Sequence, residues 1–162
     1  MSTAPIELSS KESEITVGWQ LTSNGGSVIT GYRLYQTNVT DGGETLIYDG
    51  SNIPTVTSTK VKNLIAGHQY MYRVSGINRV GEGLMSPFSA VIMAASIPGR
   101  PLPPIFLSAT SSTITLQITA LTNNGGSAVT YYKLYADDSS QVGEVFTEIM
   151  SYDGHSLDSF TV

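Results

Sequence analysis

The side chains that could supply acids, bases or metal ligands are few in this sequence and lie far apart. The only histidines are His68 and His155, and there is no cysteine. Zinc needs several ligands that converge on one point, and a disulfide or thiolate site needs cysteine. We therefore expect no metal site, no cofactor and no disulfide, and we place His68 in an exposed turn before a strand.

Neighbouring carboxylates could act as a general acid and a general base. Three such pairs occur, namely Glu12 with Glu14, Asp137 with Asp138, and Glu144 with Glu148. The first pair has the spacing of residues on one face of an edge strand and the second falls in a predicted loop, so solvated surface charge explains them better than catalysis. The segment Asp41-Gly42-Gly43-Glu44 has too few oxygen ligands for a calcium loop.

The sequence contains neither a serine nucleophile elbow nor a glycine-rich loop followed by lysine. Gly81-Glu82-Gly83 begins like a dinucleotide-binding fingerprint, but Ser86 stands where the third glycine is needed and no helical pattern follows. We interpret this segment as a hairpin loop. We predict that the chain is not an enzyme and has no catalytic or cofactor-binding residues.

Asn38 is the one residue for which the sequence predicts a specific chemical event. Asn38-Val39-Thr40 is the acceptor triplet for N-linked glycosylation. The triplet falls in a predicted loop between two strands, where a glycan fits. Triplets of this kind also arise by chance, so the alternative is an unmodified loop asparagine.

Tyr35 and Tyr135 are the candidates for an interaction surface. They occupy equivalent places in two similar strands, and alternation along those strands directs both away from the core. Tyrosine is enriched at protein interfaces. The alternative interpretation is ordinary cross-strand packing on the surface of a sheet.

Charge and hydropathy exclude two classes of partner. The chain has 162 residues, 8 lysines and arginines, and a net charge of −5, so we expect no nucleic-acid partner, which requires a basic surface. No apolar run reaches the roughly 18–20 residues of a membrane span, so we expect no membrane insertion. The first residues lack the basic and apolar regions of a signal peptide, and the sequence does not fix the compartment.

A repeat organises the chain. Three blocks recur in the same order: Asn24–Tyr35 as Asn124–Tyr135 at an offset of 100, Ile15–Val17 as Ile114–Leu116 at 99, and Tyr48–Gly50 as Tyr152–Gly154 at 104. Such a series indicates one duplicated module with small changes in loop length. Within the blocks, apolar and polar residues alternate with a period of two, and clusters of glycine and asparagine separate them, which predicts strands joined by turns. The fold class is therefore predicted to be all-β, with two β-sandwiches in tandem.

Prolines mark the boundary between the two modules. Residues 96–104 contain four prolines, which fix the backbone and form a semi-rigid spacer. We therefore predict a first domain at residues 1–95, a linker at 96–104 and a second domain at 105–162.

The first module resembles the fibronectin type III family over nearly its whole length. The residues that carry the resemblance are Trp19 in strand B, Tyr32 and Leu34 in strand C, the corner Leu64–Tyr70, the strand F signature Tyr72–Gly81, and the start of strand G at Ser86–Ser89. The resemblance implies a seven-stranded immunoglobulin-like β-sandwich, so that the chain holds tandem immunoglobulin-like β-sandwiches of which the second is incomplete. The second module departs mildly from the pattern, since Ile118 stands in place of Trp19.

The second module resembles the family only as far as the start of strand E, because Val162 aligns near Val61. Strand F would supply three large inward side chains, each worth about 1.5–3 kcal/mol on burial. Two explanations stay open: a fragment of a longer chain, or completion by strands from another chain, which would propagate head to tail into a filament.

These observations favour a non-catalytic structural and adhesive module of an extracellular or cell-surface repeat protein. In its stronger form, the chain is a glycosylated fibre protomer whose partners are other protein chains, including copies of itself. The alternatives are an intracellular cytoskeletal scaffold module and a spacer of a secreted carbohydrate-active enzyme. Fold alone does not separate them.

Overall fold

The computed structural model describes residues 3–137, 146–153 and 159–161, with only the backbone described from residue 150 onward. In these ranges every regular element is a β-strand and every strand pairing is antiparallel, which confirms the predicted all-β class. The same ranges contain no helix long and apolar enough to cross a membrane. The chain divides into two compact units, residues 1–96 and 97–162.

Unit 1 is a sandwich of two antiparallel sheets. Its strands are β1 (Ile6–Ser10), β2 (Glu14–Gly18), β3 (Ile29–Asn38), β4 (Glu44–Asp49), β5 (Ser58–Lys62), β6 (Gln69–Asn78) and β7 (Ile92–Met93). One sheet has the order β1-β2-β5 and the other β4-β3-β6-β7. The predicted sandwich is therefore present.

The core lies between the two sheets because alternate residues of each strand point inward. Its buried members are Ile15, Val17, Trp19, Tyr32, Leu34, Val61, Leu64, Tyr70, Tyr72, Val74, Ile92 and Ala94. Strand β6 alone supplies three of the large side chains. Trp19 follows directly after β2 and packs edge-on against Tyr32, with 6.0 Å between ring centroids.

Strand G is shorter than the resemblance implies, and this expectation was wrong in detail. Regular pairing with β6 is confined to Ile92–Met93, while Ser86–Ser89 forms no strand because serine hydroxyls, not its backbone carbonyls, accept the N–H groups of β6. Serine hydroxyls complete the edge instead. The N–H of Ser86 donates to the carbonyl of Val74 at 2.8 Å, and its hydroxyl accepts the N–H of Val74 at 3.0 Å. The second serine of the segment makes the same two bonds to Tyr72.

The turn before β6 is fastened by a side chain of the strand that follows it. The hydroxyl of Tyr70 accepts the N–H of Ile65 at 3.0 Å, and Leu64 beside it is buried. This contact confirms the corner predicted at Leu64–Tyr70.

Removing the side-chain hydroxyl should have opposite effects on stability at the two buried tyrosines of β6. The hydroxyl of Tyr72 is fully buried and has no hydrogen-bond partner among the described residues, and this burial raises its pKa. Because an unpaired buried polar group costs free energy, Tyr72→Phe should leave the free energy of unfolding unchanged or raise it by about 1 kcal/mol, whereas Tyr70→Phe should lower it by about 1 kcal/mol. Urea denaturation followed by the fluorescence of Trp19, the single tryptophan, measures both. A larger loss of unfolding free energy for Tyr72→Phe than for Tyr70→Phe would contradict the assignment of the Tyr72 hydroxyl as unpaired.

Unit 2 repeats the first part of this pattern. Its strands are β8 (Ile105–Ala109), β9 (Ile114–Gln117), β10 (Tyr131–Ala136), β11 (Thr147–Asp153) and β12 (Ser159–Thr161). The order β8-β9-β12 matches β1-β2-β5, and the pair β10-β11 matches β3-β4. Thr161 pairs with Thr115 as Lys60 pairs with Thr16, so β12 is the equivalent of β5.

The apolar interior of unit 2 is more open than that of unit 1. Ile118 and Tyr132 are buried against each other, and Ile118 fills the place of Trp19 as the sequence predicts. However, Ile114 is 48% exposed where its equivalent Ile15 is fully buried. Among the residues described in unit 2, no strand pairs with β10 in the way that β6 pairs with β3.

Candidate interaction face

Tyr35 lies on the outward side of the four-stranded sheet, as its alternation predicts. Tyr35 pairs with Leu46 of β4 and with Arg73 of β6, while the adjacent Leu34 is fully buried. Residues that pair directly across antiparallel strands share a face. We name the outward group around Tyr35 the Tyr35 face; it consists of Arg33, Tyr35, Glu44, Leu46, Asp49, Arg73, Ser75, Glu82 and Phe88.

Glu82, from the turn between β6 and β7, is the centre of one polar network on this face. One carboxylate oxygen accepts the hydroxyls of Tyr35 at 2.9 Å and of Ser75 at 2.5 Å. The other accepts Arg33 Nη1 at 2.6 Å, and Arg33 Nε donates to Asp49 at 3.1 Å. The network fastens the turn of Glu82 to β3. From the sequence alone, Glu82 was interpreted only as a residue of a hairpin loop.

The electrostatics follow from these contacts. The hydroxyl of Ser75, and then Arg33 and Tyr35, lower the pKa of Glu82 despite its partial burial. The hydroxyl and N–H of Ser51, and then Arg33, lower the pKa of Asp49. Partial burial, and then the Glu82 carboxylate, raise the pKa of Tyr35. All three groups are therefore held in their ordinary protonation states at neutral pH, which is typical of a structural network.

The lowered carboxylate pKa values predict a loss of stability in acid. A carboxylate whose pKa is lower in the folded chain than in the unfolded chain stabilises the fold fully when the pH is above the ordinary pKa, which is 4.5 for Glu82. This stabilisation declines as the pH falls towards the lowered pKa. Glu82→Gln removes one such group, so its urea midpoint should fall less than that of the wild type as the pH is lowered through 4.5. Glu7→Gln, on the exposed β1, controls for the loss of one negative charge. If the urea midpoint of Glu82→Gln falls with decreasing pH as steeply as that of the wild type, the Glu82 network is not the source of the acid sensitivity.

A second network on the face combines an ion pair with an aromatic ring. Arg73 donates to both carboxylate oxygens of Glu44, through Nη2 at 2.6 Å to each and Nε at 2.9 Å to one. Its guanidinium carbon lies 4.4 Å from the centre of the Phe88 ring. Phe88 is nevertheless 41% exposed and Leu46 is 44% exposed. The face thus pairs its charges internally and leaves apolar surface in contact with water, which suits protein contact better than catalysis.

Tyr135 has a related but simpler setting in unit 2. It is 47% exposed, and its hydroxyl lies 3.4 Å from a carboxylate oxygen of Glu148, the residue opposite it on β11. Lys133 Nζ donates to the same oxygen at 2.8 Å. The two tyrosines therefore occupy equivalent places but use acids from different elements, a turn in unit 1 and a strand in unit 2.

A cleft of about 380 Å³ opens at the end of unit 1 between residues 21–29 and 76–84. Asn78 Nδ2 donates to the carbonyl of Asn24 at 3.1 Å and ties the two loops together. Val80 and Leu84 line the cleft, and each is 88% exposed. Its walls combine these apolar side chains with the carboxylate of Glu82 and the polar side chains of Ser23, Asn24 and Asn78, so the cleft adjoins the Tyr35 face at Glu82.

Asn38 lies at the opposite end of β3 from this cleft. The expectations for Asn38 and for the neighbouring His68 both need correction. Asn38 is the last residue of β3 rather than a loop residue. His68 lies in the turn before β6 as predicted, but its side chain is only 26% exposed, and its Nδ1 lies 3.2 Å from Asn38 Nδ2 and 3.5 Å from an Asp41 oxygen. The paired strands β3 and β6 end together here, which brings Asn38 and the turn before β6 into contact.

The candidate acid–base pair in unit 1 is not a pair in the structure. Glu14 accepts Lys60 Nζ at 3.0 Å, and this contact lowers its pKa, whereas Glu12 accepts the hydroxyl of Ser96. Asp138, Glu144 and His155 lie outside the described residues. In the ranges that the structure describes, no three His, Cys, Asp or Glu side chains are grouped to hold a metal ion.

Several solved structures share this fold at low sequence identity. The twitchin kinase region from C. elegans is 21% identical, with a TM-score of 0.51, covering 57% of this chain and 16% of that one. Domains A168–A170 of titin are also 21% identical, with a TM-score of 0.51, covering 57% and 31%. The FN1–FN3 domains of chicken CNTN1 are 13% identical, with a TM-score of 0.52, covering 99% and 54%. The chain thus spans less than two thirds of each of these proteins.

Residues 4–92 match the family described as the fibronectin type III domain. Domains of this family are in general non-catalytic modules. Because the match covers more than half of the 162 residues, the chain belongs to the fibronectin type III family.

Proposed function

We propose that this chain is a non-catalytic structural and adhesive part of a longer repeat protein, with unit 2 as a second copy of the module in unit 1. The observation that carries the proposal is the repeated strand order, β1-β2-β5 with β3-β4 in unit 1 and β8-β9-β12 with β10-β11 in unit 2. The names of the titin and CNTN1 structures likewise denote consecutive domains. Modules in series set distance and present contact surfaces.

The contact role rests on the Tyr35 face. Its charged side chains pair with one another, so a partner that covers them meets no isolated charge. Tyr35, Leu46 and Phe88 supply the apolar and aromatic surface that interfaces favour. We place this module outside the cell or at its surface, in contact with other protein chains.

Among the residues that the structure describes in unit 2, Ile114 has an exposed side and no strand takes the place beside β10 that β6 takes beside β3. An antiparallel strand with alternating large apolar residues suits this place. We propose that such strands come either from the continuing chain or from a neighbouring copy, which would then build a head-to-tail fibre.

The intact mass of the native polypeptide tests the repeat architecture. A mass far above 17.3 kDa, with further modules in its peptide map, is the expected result for a long tandem array. A mass near 17.3 kDa would overturn the array and require completion by a second chain. In that case, a chain that sediments as a monomer with unit 2 folded would overturn the fibre as well.

Antibody labelling tests the location. Antibodies against the chain should label intact cells or their matrix. Labelling that appears only after permeabilisation would overturn the extracellular placement and favour the intracellular scaffold.

A further inference from the structure

The acceptor triplet Asn38-Val39-Thr40 begins at the last residue of β3 and continues into the turn that follows, and it is the only one of its type in the 162 residues. Val39 is 41% exposed, and Thr40 and Asp41 are also exposed. The two residues after the acceptor are thus free of the core. An enzyme that reads the triplet has access to them at the surface of unit 1.

Asn38 holds its side chain in a defined orientation over this turn. Its Oδ1 accepts the N–H of Thr40 at 3.0 Å and that of Asp41 at 3.4 Å, while its backbone carbonyl accepts the N–H of Gly42 at 2.8 Å. This is an Asx turn, in which the asparagine side chain imitates a backbone turn. Oδ1 therefore accepts the backbone N–H groups of the turn, and Nδ2 contacts the side chains of Asp41 and His68.

The two hydrogens of Nδ2 have different surroundings. One donates to Asp41 Oδ2 at 2.6 Å, and the other lies towards His68 Nδ1 at 3.2 Å. The Asp41 side chain is 58% exposed and that of His68 is 26% exposed. An N-linked sugar replaces only one of the two hydrogens, and Asp41 is the more exposed of the two neighbours of Nδ2.

We infer that Asn38 is a site of N-linked glycosylation, with the sugar leaving the amide on the Asp41 side and the remaining N–H kept on His68. In the transfer, Nδ2 attacks the anomeric carbon of an oligosaccharide carried on a polyprenyl pyrophosphate. The new bond joins Nδ2 to that carbon, the bond from the carbon to the pyrophosphate oxygen breaks, and the polyprenyl pyrophosphate leaves with the electron pair. The amide nitrogen gives up one proton to a base of the transferase.

The position of the sugar matters for the contact surfaces. Asn38 pairs with Tyr70, whereas Ile29, at the other end of β3, pairs with Asn78 beside the cleft. Ten residues of strand separate these ends, which is about 30 Å. A glycan at Asn38 therefore covers the end of unit 1 away from the cleft and leaves the cleft open. This inference goes beyond the proposed role in spacing and contact, which does not depend on a sugar.

The test is to secrete the chain from eukaryotic cells behind a removable leader and to measure its intact mass before and after enzymatic release of N-glycans. One glycan per chain is expected for the wild type and for Thr40→Ser, which preserves the triplet. None is expected for Thr40→Ala or Asn38→Gln. Thr40→Ala is the decisive variant, because it keeps Asn38 and the backbone N–H groups of the Asx turn, and Trp19 fluorescence checks that the variant is folded.

Val80→Thr provides the internal standard, because it completes a second triplet at Asn78 by a change at a position that is 88% exposed. If Asn78 of that variant carries a sugar and Asn38 does not, the proposal is overturned and Asn38 serves only to form the turn. The side of attachment has its own test. Asp41→Ala should be glycosylated at least as completely as the wild type, because attachment of the sugar on this side gives up the contact between Asn38 Nδ2 and Asp41. A lower fraction of glycosylated Asn38 in Asp41→Ala would contradict attachment on the Asp41 side.

Discussion

Gly31→Ala should lower the free energy of unfolding of unit 1 by at least about 2–3 kcal/mol, because a methyl group at this position collides with fixed backbone. A Cβ built on Gly31 lies directly against the carbonyl oxygen of Gly50 and 2.8 Å from the Cα of Ser51. That turn is unable to retreat freely. Its Gly50 N–H donates to the carbonyl of Tyr32 at 2.8 Å, and Asp49 accepts the N–H of Ser51 at 3.0 Å.

Urea denaturation followed by Trp19 fluorescence measures this effect, since Trp19 lies in the core of unit 1. Gly83→Ala is the matched control, because the nearest atom to its added Cβ is 3.4 Å away. The control should shift the free energy of unfolding by no more than about 0.5 kcal/mol. Equal effects of the two substitutions would show that the contact between β3 and the turn after β4 is not tight.

The repeat explains why sequence alone does not reveal this constraint. Tyr131 stands at the position of Gly31, and Tyr131 is 56% exposed at the start of β10. A comparison of the two copies therefore suggests that the position tolerates a large side chain. The close approach of the turn after β4 decides the matter in unit 1, and such approaches between distant segments leave no periodic pattern in the sequence.

Much of the fold of unit 1 could be predicted because its strands alternate cleanly. Tyr32 and Leu34 point inward and Tyr35 outward, as the period of two requires. The corner at Tyr70 was also predictable, because it depends on residues close together in the chain. Strand G was not, since the replacement of ladder bonds by serine hydroxyls depends on how Ser86 meets Val74 across the sheet.

The candidate site was predictable only in part. Alternation placed Tyr35 on the surface, but no local signal linked it to Glu82, which lies 47 residues away in the chain. The same limit applies to His68, whose contact with Asn38 arises from the register of β3 against β6. Residues brought together by strand pairing are recognised from the topology, not from spacing along the sequence.

Leu34→Ala should lower the free energy of unfolding of unit 1 by about 2–5 kcal/mol, because the truncation leaves a cavity that rigid neighbours fill poorly. Leu34 is completely buried and pairs with Tyr48 on one side and Val74 on the other. Both neighbours are β-sheet residues held by ladder bonds, so collapse around the cavity is limited. The expected loss is a large fraction of the typical total stability of about 5–15 kcal/mol.

The equivalent substitution in unit 2 tests whether burial, rather than position in the repeat, determines the cost of removing this leucine. Leu134 occupies the same place in the repeat but is only half-buried. Leu134→Ala should therefore shift the unfolding transition reported by Trp19 by less than about 0.5 kcal/mol. A loss below about 1 kcal/mol for Leu34→Ala would place this leucine outside the tightly packed core, because a fully buried leucine in such a core costs more to truncate. A comparable loss for both variants would mean that the core around Trp19 depends on unit 2.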